Sequence, residues 1–336
     1  AYELCGSPDN LYVGCQYDEP VSDLRGLLQS ASEAKFDFVV IPLFQRRDPG
    51  GAYELRPAMA SDLALDSKTW STAIVGMLSE WIDPGPAATP ERRSECQRAL
   101  EQELHWASHL GVYGIVLPPP SGARCELYAA AVGRLLLGGV YTTQLMLRVP
   151  LLAETAGGQV DGWEMWNGFR LLCDQNPRLQ VVLELTADLP STERELERWF
   201  AEPVRSVIVP ADIFLTNKQG FPVLSKRHKA FLVQAFRHKV QVIFKGLPGG
   251  AEAEAGAEAD ASKYLHYIAR LFQSRPAPTP QEQFELPYHD YLQAPLQPLQ
   301  DDLESQTYET FEKDPVKYVR YEEAIFRCLQ DKLSAG

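Results

Sequence analysis

The residue types best suited to chemistry gather near the C-terminal end of the sequence. Between Leu296 and Tyr318 come Leu299, Leu303, Tyr308, Phe311, Glu312, Lys317 and Tyr318. Aromatic rings, a carboxylate and a lysine around a helix start can cover a ligand that carries both an apolar ring system and a carboxylate. The ammonium supplies a charge-assisted hydrogen bond and the rings supply stacking area. The plainer use of the same residues is an amphipathic segment packed on a neighbouring domain, and composition by itself favours that use. The other polar candidates stand in or just after short apolar runs: Gln45 and Arg46, then Arg148, Glu184, Asp212 and Lys245. Glu184 and Asp188 can make a carboxylate pair, although each more readily serves as a structural partner for Arg148 or Lys245. The histidines do not form a metal set. His105, His109, His228, His238 and His266 fall in helical stretches and His289 in a proline-rich one, with no HExxH pattern. The six cysteines carry no CxxC pair and read as free buried thiols of a reducing compartment, so no metal is expected and the cell interior is the expected home.

The elements that must position these residues follow from hydrophobic patterning. Eight short apolar runs read as strands: 11–15, 36–44, 71–78, 113–118, 143–151, 179–186, 205–210 and 240–247. Most lack a period of two, as expected when both faces of a parallel strand are covered. Helical patterns fall between them at 18–35, 90–110, 125–137, 163–174, 192–200, 225–238 and 262–272, while the interval between the second and third strands is polar and only weakly helical. Eight strand–helix units in about 260 residues predict an α/β protein built on a (β/α)₈ TIM barrel. An open doubly wound sheet is disfavoured because Cys15, Gln16 and Tyr17, not GxGxxG, follow the first strand. GLPGG (Gly246–Gly250) stands where barrels often hold phosphate, but the acidic run behind it, ending at Asp260, opposes one. Six prolines between Pro276 and Pro298 forbid a continuous helix and predict an extended linker. Beyond it, Asp314 and Pro315 suit an N-cap and first turn, and the helix they start is expected to bury Tyr318, Tyr321, Ile325, Cys328 and Leu329 on one face. The expected organisation is a barrel over 1–275, a linker over 276–298, and the start of a second domain over 299–336.

Composition narrows the function classes. With 45% hydrophobic and 23% charged residues the chain is an ordinary folded one. Its net charge of −13 argues against direct binding of nucleic acid or of an anionic membrane, since phosphates demand clustered Lys and Arg. No run approaches the roughly 20 apolar residues of a membrane span. No signal peptide is visible, and the first residue is Ala1 rather than Met, so the sequence is expected to be a fragment.

PLQPLQDDLESQTYETFEKDPVKY (Pro295–Tyr318) resembles the start of the catalytic domain of type II, symmetric-dimethylating protein arginine methyltransferases of the methylosome. FDFVVIPLF (Phe36–Phe44), WEMWNGFRLLCD (Trp163–Asp174) and ADIFLTNKQGFPVLSK (Ala211–Lys226) resemble the N-terminal barrel of that family. The resemblance covers essentially the whole chain. It implies a non-catalytic TIM barrel followed by the first helices of a Rossmann-type methyltransferase domain, acting on histones, Sm and other RNA-binding proteins with arginine-rich segments. It implies S-adenosyl-L-methionine as cofactor, contacted by Tyr308, Lys317 and Tyr318, with Phe311 setting the symmetric product. It also implies a WD-repeat partner, substrate adaptors, a head-to-tail homo-oligomer in the full-length protein, and residence in cytoplasm and nucleus. The WD-repeat partner is expected on Arg46, Arg47 and Arg56 and on Trp163, Trp166 and Phe169, with the equally open alternative that Trp163 and Trp166 belong partly to the core. The adaptors' acidic peptide is expected in a groove formed by Asn217, Lys218 and Phe221 with Ser262, Lys263 and His266. The family's glycine-rich first motif and paired glutamates are missing from these residues, so the chain alone is expected to be inactive, with no catalytic residue of its own. Two other readings stay open on the residues alone: a freestanding barrel isomerase or hydrolase, and a pure interaction module.

Overall fold

The computed structural model describes residues 10–19, 21, 23–44, 65–83, 85, 88–122, 125–138, 143–155, 158–247, 257–288, 297 and 300–334, with backbone only at 154–155 and 257–260. The chain divides into two compact units, Ala1–Arg275 and Pro276–Gly336.

In the first unit the strands are β1 (Val13–Gln16), β2 (Phe38–Pro42), β3 (Ile74–Met77), β4 (Gly114–Leu117), β5 (Gln144–Pro150), β6 (Leu152–Thr155), β7 (Gly158–Asp161), β8 (Leu179–Glu184), β9 (Val204–Pro210), β10 (Leu215–Thr216), β11 (Pro222–Val223) and β12 (Gln241–Lys245). Eight of them close a barrel in the order β1-β12-β9-β8-β5-β4-β3-β2, and every neighbouring pair is parallel. The helices are α1 (Leu24–Glu33), α2 (Ser67–Ala73), α3 (Pro90–Leu110), α4 (Glu126–Leu137), α5 (Gly162–Leu172), α6 (Glu193–Glu197), α7 (Lys226–Ala235) and α8 (Ala257–Gln273).

Side chains alternate along each barrel strand, so burial separates into two layers. Phe38, Val40, Val75, Met77, Val116, Met146, Val182, Ile208 and Ile243 fill the barrel interior. Val13, Cys15, Val39, Ile41, Leu147, Val181 and Val207 face outward into the larger apolar layer beneath the helices. Gly14 is required by the inner layer. A Cβ there would lie 2.3 Å from the Phe38 ring, which occupies the space that a side chain on β1 would take. Gly162 is required for a firmer reason: its Cβ would meet the Pro150 carbonyl oxygen at 1.9 Å, where backbone cannot yield.

Seven of the eight strands lie within two residues of their predicted ends. The third does not, because Ser71, Thr72 and Ala73 complete α2, whose start is capped by the Asp66 carboxylate accepting from the Thr69 amide at 2.7 Å. The antiparallel hairpins β6–β7 and β10–β11 were not foreseen; both leave the barrel at the C-terminal ends of strands.

In the second unit the proline-rich stretch is not wholly extended. It contains α9 (Pro280–Glu285), opened by a capping box in which Thr279 Oγ1 accepts from the Glu282 amide at 3.2 Å and Glu282 accepts from the Thr279 amide at 2.7 Å. Then come α10 (Ser305–Glu312) and α11 (Pro315–Ser334). Asp314 Oδ1 accepts from the Val316 amide at 3.0 Å, as its position before Pro315 suggests. The α11 side chains expected to be buried are instead exposed: Tyr321, Ile325 and Leu329 at 62%, 59% and 55%. Their apolar pattern is that of a packing face, but no described residue covers it.

Candidate functional site

Three places on the molecule hold the sequence candidates. The first is the mouth of the barrel, at the C-terminal ends of its strands. Arg148 on β5, Glu184 on β8 and Lys245 on β12 converge there as a chain of ion pairs. Lys245 Nζ lies 2.8 Å from Glu184 Oε1, Arg148 Nε lies 3.5 Å from Glu184 Oε2, and the Arg148 fork grips Glu80 at 2.9 Å through both nitrogens. Glu184 is thus the structural partner of both cations and does not pair with Asp188. Above the network lies a cavity of about 510 Å³, lined by Asp18, Asp188, Asp212 and Lys245 among others. Among the described residues no three His, Cys, Asp or Glu side chains converge as a metal site requires. Gln45, Arg46 and Pro248–Gly250 lie outside the described residues.

The second place is the hairpin β10–β11 with helix α8. Asn217 sits at the turn, and its Oδ1 accepts from the amides of Gln219 and Phe221, both at 2.9 Å. Gly220, at φ +79°, supplies the left-handed residue that this turn needs. The turn holds the Phe221 ring outward, 49% exposed, beside Leu215 at 58%. Below it, Phe214 packs edge-on against Tyr264 and Tyr267 of α8, and Tyr267 Oη accepts from the Leu224 amide at 3.1 Å. The helix carrying Lys263 and His266 is thereby fixed to the loop carrying Asn217, Lys218 and Phe221, so the structure brings those two segments together. His266 points to solvent, with Nδ1 2.8 Å from the Ser262 carbonyl oxygen. Asn217, by contrast, spends its side-chain carbonyl on the turn.

The aromatic stretch of α5 is a correction. Trp166 and Phe169 are 1% and 0% exposed and belong to the core. The reason is a buried carboxylate: Glu202 accepts from Trp163 Nε1 at 3.1 Å, Trp166 Nε1 at 2.9 Å and Arg170 at 2.8 Å. Phe169 packs edge-on against Tyr128. Trp163 alone stays partly open, with the Arg198 guanidinium 4.8 Å above its ring. Arg46, Arg47 and Arg56 lie outside the described residues.

The third place is the pair of helices α10 and α11. Tyr308 and Phe311, three residues apart on α10, stand on one face with centroids 6.2 Å apart and rings nearly perpendicular. On α11, Lys317 Nζ lies 5.8 Å from the Tyr318 ring centroid. Tyr308 and Tyr318 are 45% and 46% exposed and Lys317 is exposed, so two aromatic faces and one ammonium are available to a ligand.

Comparison with known proteins decides the family. The family description "PRMT5 TIM barrel domain" matches residues 35–274, and "PRMT5 arginine-N-methyltransferase" matches residues 279–336. The chain belongs to the PRMT5 family. The PRMT5-family relatives include protein arginine N-methyltransferase 5 of Oryza sativa subsp. japonica, 42% identical over 97% of this chain and 54% of that protein. That of Xenopus laevis is 35% identical over 93% of this chain and 52% of that protein. The chain therefore spans about half the length of the curated relatives it matches. Among solved structures, D-allulose 3-epimerase from Methylomonas sp. in complex with D-allulose superposes with a TM-score of 0.54 at 14% identity, over 77% of this chain and 96% of that one. That likeness is one of fold, and the PRMT5-family barrel is a (β/α)₈ barrel.

Proposed function

We propose that this chain is the N-terminal portion of an S-adenosylmethionine-dependent methyltransferase that symmetrically dimethylates arginine in histones, Sm and other RNA-binding proteins. In this reading the barrel docks partners and the residues after 299 contribute one wall of the cofactor site. The observation that carries it is the tandem of the two PRMT5 matches, 35–274 and 279–336, in one polypeptide.

The residues of the second unit have the chemistry for that wall. The Lys317 ammonium suits the methionine carboxylate, and the exposed faces of Tyr308 and Tyr318 suit the adenosine portion. When bound, S-adenosylmethionine supplies an electrophilic methyl group on sulfur. Phe311 stands against Tyr308, and a flat ring there limits which guanidinium nitrogen can face that methyl, which favours the symmetric product.

The barrel supplies the scaffold. The exposed Phe221 ring is the apolar platform for an acidic, aromatic-bearing adaptor peptide, and Lys218 and Lys263 pair with its carboxylates. Trp163, backed by Arg198, is the aromatic contact left for the WD-repeat subunit of the methylosome once Trp166 and Phe169 are assigned to the core. A head-to-tail homo-oligomer acting in cytoplasm and nucleus completes the proposal. The test is to express the complete protein with its WD-repeat partner and assay methylation of an arginine-rich peptide. Lys317→Ala is expected to raise the KM for the cofactor by about tenfold, the equivalent of ~1.4 kcal/mol of lost contact. An unchanged KM removes Lys317 from the site.

A further inference from the structure

The charge of the barrel is unevenly spread. The chain holds 45 Asp and Glu against 32 Lys and Arg, yet residues 225–239 and 261–275 together hold eight Lys and Arg and no Asp or Glu. These stretches are α7 with the turn behind it, and α8 with the residues just after it. Two contacts set them side by side. The Leu224 amide donates to Tyr267 Oη at 3.1 Å near one end, and Phe236 packs edge-on against Phe272 at 5.4 Å toward the other. Phe231, Leu232, Ile268 and Leu271 face the core, which turns the cations outward. Lys226, Lys229, Arg237, Lys239 and Arg270 are all exposed. On α7, Lys226, Lys229 and Arg237 recur at helical spacing and share one side over about 16 Å. Acid enters at the edge, where Arg227 pairs with Glu193 at 3.5 Å.

The second observation is that α7 breaks a rule its neighbours keep. A helix N-terminus is the positive end of the backbone dipole and favours acidic side chains. The first turns of α3, α4, α5 and α6 carry Glu91, Glu126, Glu164 and Glu193. Helix α7 opens instead with Lys226, Arg227, His228 and Lys229, and its first turn has no acid. Lys226 and Lys229, three residues apart, also repel one another. The helix gains nothing from these charges, and an anionic partner laid across them relieves both repulsions. A local rule broken without structural return marks a surface kept for function.

What stands between the cations sets the chemistry of that partner. Ala230 and Val233 on α7 and Ala269 on α8 leave shallow aliphatic surface on which a peptide backbone can lie close. No Phe, Tyr or Trp of either stretch is exposed, so the stacking platforms that hold unpaired bases are missing there. We infer that the α7–α8 face docks an acidic protein segment, a run of Glu or Asp whose carboxylates meet Lys226, Lys229, Arg237, Lys239 and Arg270. The inference goes beyond the hairpin groove and does not rest on it, since it needs no aromatic residue in the partner.

Fluorescence polarisation of fluorescein-labelled decaglutamate with the 336-residue chain tests this. A chain of net charge −13 repels such a probe unless a local basic face receives it. The expected result is saturable binding that weakens with salt and falls about tenfold in Lys226→Glu/Lys229→Glu. Arg237→Glu/Lys239→Glu, at the other end of α7, is expected to weaken it in the same direction. Arg93→Glu/Arg98→Glu on α3 makes the same change in net charge and is expected to leave the affinity within about twofold. The Lys226→Glu/Lys229→Glu reversal also places acid at a helix N-terminus, so its thermal midpoint should equal or exceed that of the unsubstituted chain. Lysines that serve the fold would lower it instead. Absence of saturable binding, equal weakening by the α3 control, a lowered midpoint in the α7 reversal, or tighter binding of an RNA decamer than of decaglutamate overturns the inference.

Discussion

Asn217 fastens the tip of the β10–β11 hairpin to Phe221: its Oδ1 accepts the Phe221 amide at 2.9 Å, and its own amide donates back to the Phe221 carbonyl at 3.0 Å. The two bonds fix the direction in which the Phe221 ring leaves the turn. Asn217 therefore acts on a docked peptide through Phe221, by shaping the platform.

Substitutions on this surface should separate by burial at the contact. Phe221→Ala is expected to weaken an acidic adaptor peptide by at least about tenfold, because a desolvated aromatic at the centre of a contact carries most of its energy. Lys263→Ala is expected to cost less and to act mainly on association rate and salt dependence. Fluorescence polarisation with a labelled peptide reads both. Equal losses, or full binding by Phe221→Ala, place the groove elsewhere.

Glu202 is the buried anion on which α5 rests. Its side chain is 4% exposed and holds Arg170 and the two indole N–H groups of Trp163 and Trp166. Removing one partner of such a set leaves the others desolvated and unpaired, so Glu202→Ala is expected to destabilise the barrel by about 3–5 kcal/mol. Urea unfolding measures it, and a loss under about 1 kcal/mol is too small for the role given to this carboxylate.

His238 gives the stability of the barrel a defined pH dependence. Its ring stacks on Phe200 at 5.2 Å and 6°, and burial, then the neighbouring Arg237 charge, pushes its pKa below the ordinary 6.5. The unfolded chain therefore takes up a proton at a higher pH than the folded one. Stability contributed by the neutral ring is present above the unfolded value and declines as pH falls from about 6.5 toward the folded value. Thermal midpoints measured between pH 7.5 and 5.5 should fall less steeply in His238→Phe than in the unsubstituted chain. Parallel profiles would assign the dependence to other groups.

Cysteine reactivity should divide along burial. Burial pushes the Cys15 and Cys125 thiols up to about 11 and Cys173 up to about 12, and raises Cys96, whereas Cys328 on α11 is exposed. Since the thiolate is the reactive form, iodoacetamide at pH 8 is expected to label Cys328 at least tenfold faster than these four in the native chain. Peptide mapping separates Cys5, which lies outside the described residues. Labelling of Cys173 at the rate of Cys328 would show that α4 and α5 open readily.

The barrel was legible because continuous apolar runs at strand length, separated by helical period, admit few folds, and the ends of β8 and β9 fall almost where the apolar residues stop. The third strand misled because Ser71, Thr72 and Ala73 join a helix directly to Ile74, with no turn residue to mark the change. The helix at Pro280 was readable in principle: Thr279-Pro280-Gln281-Glu282 is a capping box with proline at its first turn, but six nearby prolines argued louder for extension. For Trp166 the sequence leaves interface anchor and core residue equally open, and the partner that decides for the core, Glu202, lies 36 residues beyond it. Tyr308, Phe311, Lys317 and Tyr318 stood out by type, yet only the resemblance gave them roles, since no local spacing rule ties a lysine and three aromatics to one ligand.

Product symmetry is the decisive observable for the proposed function, and it is read by mass spectrometry of an arginine-rich peptide incubated with S-adenosylmethionine and the complete protein. The fragment ions distinguish symmetric from asymmetric dimethylarginine. The expected result is symmetric dimethylarginine from the complete protein, none from the 336-residue chain alone, and a product mixture shifted toward the asymmetric form in Phe311→Met, where a flexible chain replaces the flat ring. Asymmetric product from the unsubstituted protein, or a product ratio indifferent to residue 311, would contradict the proposed function.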